Sequence, residues 1–133
     1  MKRLLSLALL AAMATGAVSC ADSTGPGSAI AGTYTLRSVG GVQPPVQLSG
    51  YQVISSQIVL DAAGNYTGFT TERDNVGTQQ SYRIDGYWSV TGNQIYLYDQ
   101  TQPNFPYIGV INGDTIVITA NNSSSGYDEV YTK

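Results

Sequence analysis

Few side chains in this sequence could carry out catalysis. The chain has no histidine and a single cysteine, Cys20, so it lacks Ser-His and Cys-His nucleophile pairs and the usual ligands of zinc. The candidates for an acid and base pair are Glu72, Asp74 and Asp85, but the first two flank Arg73 at the polar end of a predicted strand, a position typical of a solvated rim. A haem would need a tyrosine as axial ligand. We therefore expect no enzymatic activity, no cofactor and no metal site.

Cys20 is the residue whose spacing points to a covalent modification. The small residues Ala17 and Ser19 stand at the −3 and −1 positions before it, and a basic start and an apolar run over residues 4–18 precede them. Because that run is short for a membrane span, residues 1–19 are predicted to be a cleaved signal peptide. A lone cysteine in an exported chain would otherwise be a free thiol or half of an intermolecular disulfide.

Residues 16–20, Gly-Ala-Val-Ser-Cys, resemble the lipobox of bacterial lipoproteins. The resemblance implies that Cys20 becomes the first residue of the mature chain and carries acyl chains, of which two or more anchor a protein stably. The expected location is the bacterial cell envelope, with the domain facing the periplasm or exposed on the surface. The outer membrane is favoured because Ala21 rather than aspartate follows the cysteine.

The rest of the chain divides into a tether and one domain. Residues 20–31 are predicted to be the lipidated cysteine and a flexible linker rich in Gly, Ser and Pro, and residues 32–133 suffice for one modest core. The formal net charge is −3, and it becomes more negative once Lys2 and Arg3 leave with the signal peptide. This acidity argues against nucleic acid or an anionic lipid surface as partner, so the lipid anchor is the expected membrane contact.

Composition and periodicity indicate an all-β domain. Ten tyrosines, abundant threonine and valine, and Gly or Asn at short intervals are typical of strands and tight turns. No segment after the signal peptide shows a helical apolar period. Eight strands are predicted, at residues 32–39, 51–60, 65–73, 78–90, 94–98, 107–111, 115–120 and 127–132.

Two hairpins have a register that the sequence determines. A primed two-residue turn at Gly92-Asn93 places apolar residues opposite each other on one face. The resulting pairs are Val90–Ile95 and Trp88–Leu97. In the related hairpin further on, a turn at Gly113-Asp114 is favoured over one at Asn112-Gly113, because only the former pairs apolar residues on both faces. Those pairs are Ile111–Ile116 and Val110–Val117.

Eight short strands joined in sequence predict an antiparallel up-and-down β-barrel with one tight-turn end and one loop-rich end. Three segments resemble the spaced motifs of bacterial lipocalin-like domains: Gly-Thr-Tyr-Thr-Leu at 32–36, Leu-Asp-Ala-Ala-Gly-Asn-Tyr at 60–66, and Gly-Tyr-Trp-Ser-Val-Thr-Gly-Asn at 86–93. The resemblance implies a lipocalin-like barrel and a binding role. The first strand starts at the tight-turn end, so the tether should attach there.

The predicted interior has two interpretations. Its inward face comprises Tyr34, Leu36, Ile58, Leu60, Tyr66, Tyr82, Ile84, Trp88, Val90, Ile95, Leu97, Ile111, Ile116 and Ile118. As a ligand lining, the candidate contacts are Tyr34, Leu36, Tyr66, Tyr82, Ile84, Trp88 and Leu97. The other interpretation is that these side chains fill the barrel, since eight strands permit both a packed core and one small ligand.

A second candidate surface lies outside the predicted barrel. The outward residues of neighbouring strands form an aromatic and aliphatic stripe of Tyr87, Tyr96, Tyr98, Ile108, Val110 and Val117. Such a stripe is either ordinary cross-strand pairing or an interface. The predicted function is therefore a non-catalytic, membrane-anchored envelope lipoprotein that binds a small apolar or amphipathic ligand. The alternative is an envelope protein interaction or inhibitor module with a filled barrel.

Overall fold

The computed structural model describes residues 26–133, so the predicted signal peptide and Cys20 lie outside the described residues. In chain order the elements are α1 (Pro26–Ile30), β1 (Gly32–Val39), β2 (Val46–Gln47), β3 (Tyr51–Leu60), β4 (Asn65–Asp74), β5 (Gln79–Thr91), β6 (Gln94–Asp99), β7 (Tyr107–Asn112), β8 (Thr115–Ile118), the 3-10 turn η1 (Ala120–Asn122) and β9 (Glu129–Thr132). Within this part of the chain, no helix has the length and apolar character needed to cross a bilayer.

The strands form a closed antiparallel barrel, which confirms the predicted fold class. Each strand from β3 to β8 pairs with the next, and β1 closes the barrel by pairing with both β9 and β3. The eight predicted strands are all present within a few residues of their expected ends. The additional strand, β2, was not predicted, because it is only two residues long and directly follows Pro44-Pro45. It pairs with Gln52 and Val53, which lie in the part of β3 that β1 does not reach.

Both predicted hairpin registers are confirmed. The first hairpin pairs Val90 with Ile95 and Trp88 with Leu97. The second pairs Ile111 with Ile116 and Val110 with Val117. The first central residue of each turn, Gly92 or Gly113, has a φ of 62° or 58°, a conformation that other residues adopt only with strain.

Two aspartates fix the tight turns at opposite ends of the β3–β4 and β4–β5 hairpins. The Asp61 carboxylate accepts the backbone N–H of Asn65 at 2.7 Å, and the Asp74 carboxylate accepts that of Thr78 at 2.8 Å. Each turn is also closed by the fourth residue, whose N–H donates to the aspartate carbonyl oxygen. Both turns therefore have Asp at the first position and Gly at the fourth, a combination typical of type I turns.

The tight-turn end of the barrel, called the closed end below, is sealed by apolar packing and by α1. Tyr34, Ile95 and Ile116 are among the most deeply buried side chains there. Part of the predicted linker is ordered: the Tyr34 hydroxyl donates to the Ile30 carbonyl oxygen at 2.7 Å, and the Lys133 ammonium donates to the Ala29 carbonyl oxygen at 2.8 Å. These bonds hold α1 across the closed end.

Candidate functional site

The interior is filled except toward the loop-rich end, called the open end below, where two small neighbouring cavities remain. The larger has a volume of about 50 Å³ and the smaller about 30 Å³. Both are bordered by Ser56, Thr70, Ser124, Glu129 and Tyr131. Because Ser124 is an exposed residue of the loop between β8 and β9, it marks the mouth of this space. Each cavity can hold one or a few water-sized groups, far less than a pocket for a whole drug-sized ligand.

The structure separates the residues that were predicted to line a ligand site. Tyr66, Ile84 and Leu97 border the larger cavity, and Leu36 borders the smaller. Tyr34 is fully buried at the closed end, remote from both. The predicted lining is therefore divided between a packed core and the open end.

Trp88 also lies at the closed end. Its indole N–H donates to the Asp61 carbonyl oxygen at 3.0 Å, and its ring is close to Gly27 of the segment that covers this end. The side chain is only partly buried, and it borders neither cavity. Its fluorescence should therefore report on the covering of the closed end rather than on a ligand at the open end.

Tyr82 departs from the prediction, because its side chain is 49 % exposed. It lies on the expected face of β5, but β6 pairs only with the second half of that strand, from Gly86 to Thr91. The first half of β5 pairs with β4 alone and projects past the rim, so no opposite wall covers Tyr82. The alternation of side chains along β5 predicted the face of Tyr82 correctly. Its burial depends on how far the other strands of the barrel extend.

A directed chain of hydrogen bonds crosses the open-end cavities. The Tyr131 hydroxyl donates to Glu129 Oε2 at 2.9 Å, which commits its only proton. The Ser56 hydroxyl lies 3.2 Å from the Tyr131 oxygen and must therefore be the donor in that bond. Because the single hydroxyl proton of Ser56 is used in that bond, Thr70 must donate to Ser56, at 2.9 Å. Every proton in the chain points toward the Glu129 carboxylate, so each donor reinforces the next.

The surroundings of this chain are negative. Burial raises the pKa of the Tyr131 hydroxyl, and the neighbouring Glu129 carboxylate raises it further. Burial likewise raises the pKa of Glu72, which borders the smaller cavity, and burial followed by the charges of Glu72 and Glu129 raises the pKa of Tyr51. The tyrosine hydroxyls therefore remain protonated donors at neutral pH.

The sequence contained signals for Ser56, Glu129 and Tyr131 that our predictions missed. Tyr131 and Glu129 pair with Ile116 and Ile118, both predicted to face inward, so the register of the last hairpin turns them inward too. Ser56 faces inward because it is in phase with Ile58 and Leu60, both predicted to face inward. A register irregularity between Val53 and Ser55 brings Val53 onto the same face. This irregularity is a bulge, and β3 continues through it from Tyr51 to Leu60.

The three carboxylates first considered for chemistry do not converge. Asp74 accepts turn N–H groups, and Asp85 forms an ion pair with Arg83 at 2.9 Å on the exposed outer face. Of the three, only Glu72 borders an open-end cavity. Across residues 26–133, no three acidic side chains come together in a group suited to a metal ion.

The predicted outer stripe is formed by stacked rings on neighbouring strands. The ring centroids of Tyr87 and Tyr98 are 4.6 Å apart with an interplanar angle of 11°, and those of Tyr96 and Tyr98 are 6.4 Å apart. Tyr87 is 46 % exposed, whereas the other two rings are half-buried between their neighbours. Tyr87 is therefore the ring most accessible to a partner.

Comparisons with models of protein families, with curated proteins and with solved structures find no match to this chain. The small antiparallel barrel is compatible with a lipocalin-like fold. Because one fold serves many functions, the function must be inferred from the residues of the site itself.

Proposed function

We propose that this protein is a non-catalytic, membrane-tethered envelope lipoprotein of lipocalin-like type that binds a small amphipathic ligand at the open end of its barrel. The observation that supports the proposal is the pair of cavities beneath the loop between β8 and β9, which are bordered by hydroxyl groups and the Glu129 carboxylate. Their volumes favour a ligand that inserts only one end. An apolar molecule enclosed by the whole barrel is disfavoured because the closed end is packed.

The contrast within the interior supports this site. Replacing buried charged and polar groups with well-packed apolar side chains of similar volume is often neutral or stabilising, so stability alone does not require such groups. Here Ser56 and Glu129 remain buried next to open space. Polar groups retained beside a cavity are what a binding pocket needs to orient a ligand.

The direct test is native mass spectrometry of the full chain, purified from its host's envelope in a mild non-ionic detergent. We expect a retained small molecule on the wild-type protein. Ser124→Phe should reduce its occupancy by about tenfold or more, because a large ring at this exposed position covers both cavities. Thr91→Phe, an equally bulky change at an exposed residue of the closed end, is the control and should leave occupancy unchanged. A bare wild-type mass, or equal occupancy in Ser124→Phe, contradicts the proposal.

A second candidate function is docking of an envelope protein on the outer stripe, which the exposed and stacked Tyr87 favours. If this is correct, Tyr87→Ser should remove an envelope crosslink that the wild type forms while changing thermal stability only slightly. Tyr127→Ser is the matched control, because Tyr127 is similarly exposed but lies in the open-end loop. Loss of the crosslink in both variants would argue against a specific stripe interface.

A further inference from the structure

The Glu129 carboxylate is buried but only partly satisfied. The residue is 7 % exposed, and in the described part of the chain its only side-chain donor is the Tyr131 hydroxyl on Oε2. An ionised carboxylate can accept about four hydrogen bonds. No fully sealed polar side-chain atom among the described residues lacks a partner, so Oε1, which receives no donor, must border open space. That space is the open-end cavities, which Glu129 lines.

Within residues 26–133, no lysine or arginine lies at ion-pair distance from the Glu129 carboxylate. Neither cavity is bordered by a lysine or an arginine. Arg83 is engaged with Asp85 on the outer face, and Lys133 is bound at the closed end. Glu72 adds a second acidic group to the border of the smaller cavity. A charge buried without a counter-ion is costly, so a cation entering this space would be favoured.

The remaining wall is also suited to a cation. Tyr66, Tyr107 and Tyr131 all border the larger cavity together with Glu129. Aromatic rings attract ammonium groups, and the attraction is stronger where water is excluded. Three tyrosines and a carboxylate around about 50 Å³ match an organic ammonium group in size and charge.

We infer that the open-end cavity binds the ammonium head group of a small amphipathic amine, with Glu129 Oε1 accepting its N–H donors. The inference rests on the proposed open-end binding function and adds the chemical class of the ligand. The cavity takes the head group, and the alkyl part of the molecule lies in the mouth beside Ser124. A metal ion fits less well, because no third acidic group joins Glu129 and Glu72 in the described chain.

The test compares n-butylammonium chloride with n-butanol, its neutral counterpart, by isothermal titration calorimetry on the full chain at constant ionic strength. For the wild type we expect the dissociation constant of butylammonium to be lower than that of butanol by about tenfold or more. Glu129→Gln should remove this difference while the amide oxygen still accepts from Tyr131. Asp114→Asn removes the same charge at an exposed site of the closed end and should change nothing.

The other outcomes separate this inference from the function on which it rests. Equal binding of both probes to the wild type, lost in Ser124→Phe, would overturn the preference for a cation and leave the open-end site intact. Unchanged butylammonium binding in Ser124→Phe would place the site elsewhere and overturn both. Binding of neither probe to the wild type would overturn the amine inference, and the retained molecule in native mass spectrometry would then decide the proposed function.

Discussion

At the closed end of the barrel, Tyr34 and Ile95 are completely buried, and α1 lies across them. At the open end, Ser56 and Glu129 are also buried, yet they border cavities and belong to a chain of hydrogen bonds. The same strands thus build an apolar core at one end and a polar pocket at the other. We interpret this difference as a division of roles, in which the apolar half stabilises the fold and the polar half is the proposed site of ligand binding.

The largest expected effect is on packing at the closed end. Ile95→Ala should lower the free energy of unfolding by about 2 to 5 kcal/mol, because the site is sealed and the cavity left behind cannot collapse fully. Ile84→Ala makes the same change in the open half, where the side chain is only half-buried and already borders a cavity, so its loss should be clearly smaller. Chemical denaturation of both variants measures the difference. Equal losses would show that the two ends are packed alike.

The next effect concerns the polar network. Tyr131→Phe leaves the Ser56 proton and the Glu129 carboxylate without a partner, so unfolding free energy should fall by about 1 to 3 kcal/mol. Thr70→Val removes only the first donor of the chain, from a half-buried position, and should be milder. Thermal unfolding of both variants provides the comparison. A greater loss in Thr70→Val would be inconsistent with the direction assigned to the chain.

The same substitution at the closed end should have a smaller effect. Tyr34→Phe removes the bond to the Ile30 carbonyl oxygen and should lower unfolding free energy by about 0.5 to 1.5 kcal/mol. Because α1 lies close to Trp88, its loosening should also shift the tryptophan emission to longer wavelength. Tyr131→Phe is the control for emission, since it alters the open end only. A red shift in the control but not in Tyr34→Phe would contradict the placement of α1.

The smallest effect is a difference in pH dependence. Burial raises the pKa of Glu72, so the folded protein holds this proton more tightly than the unfolded chain. Stability from this residue is therefore highest below the unfolded pKa and decreases as pH rises through the folded pKa. Asp85, whose pKa is lowered by the hydrogen bond from Arg83, contributes in the opposite direction. Measuring the unfolding free energy of Glu72→Gln and wild type across mildly acidic pH isolates the contribution of Glu72. The decrease in stability with rising pH that Glu72 causes should be absent in the variant.

Local patterns predicted the strands and the hairpin registers because alternation and turn chemistry are properties of neighbouring residues. The sequence predicted the correct face for Tyr82 but not the exposure of its side chain, since that exposure depends on where β6 ends. Isolated helices as short as α1 are unstable, so its formation depends on Lys133, at the other end of the chain. Glu129 could have been found, because its cross-strand partner Ile118 was expected to face inward.

Two-dimensional NMR of the ¹⁵N-labelled full chain can locate ligand entry at the open end or elsewhere. The small-molecule extract of the host envelope is added while two resonances are followed: the backbone amide of Gly68, in the cavity wall, and the indole N–H of Trp88, at the closed end. If ligands enter at the open end, the Gly68 resonance shifts and saturates while the Trp88 resonance stays in place. A shift of Trp88 with Gly68 unchanged would contradict entry at the open end.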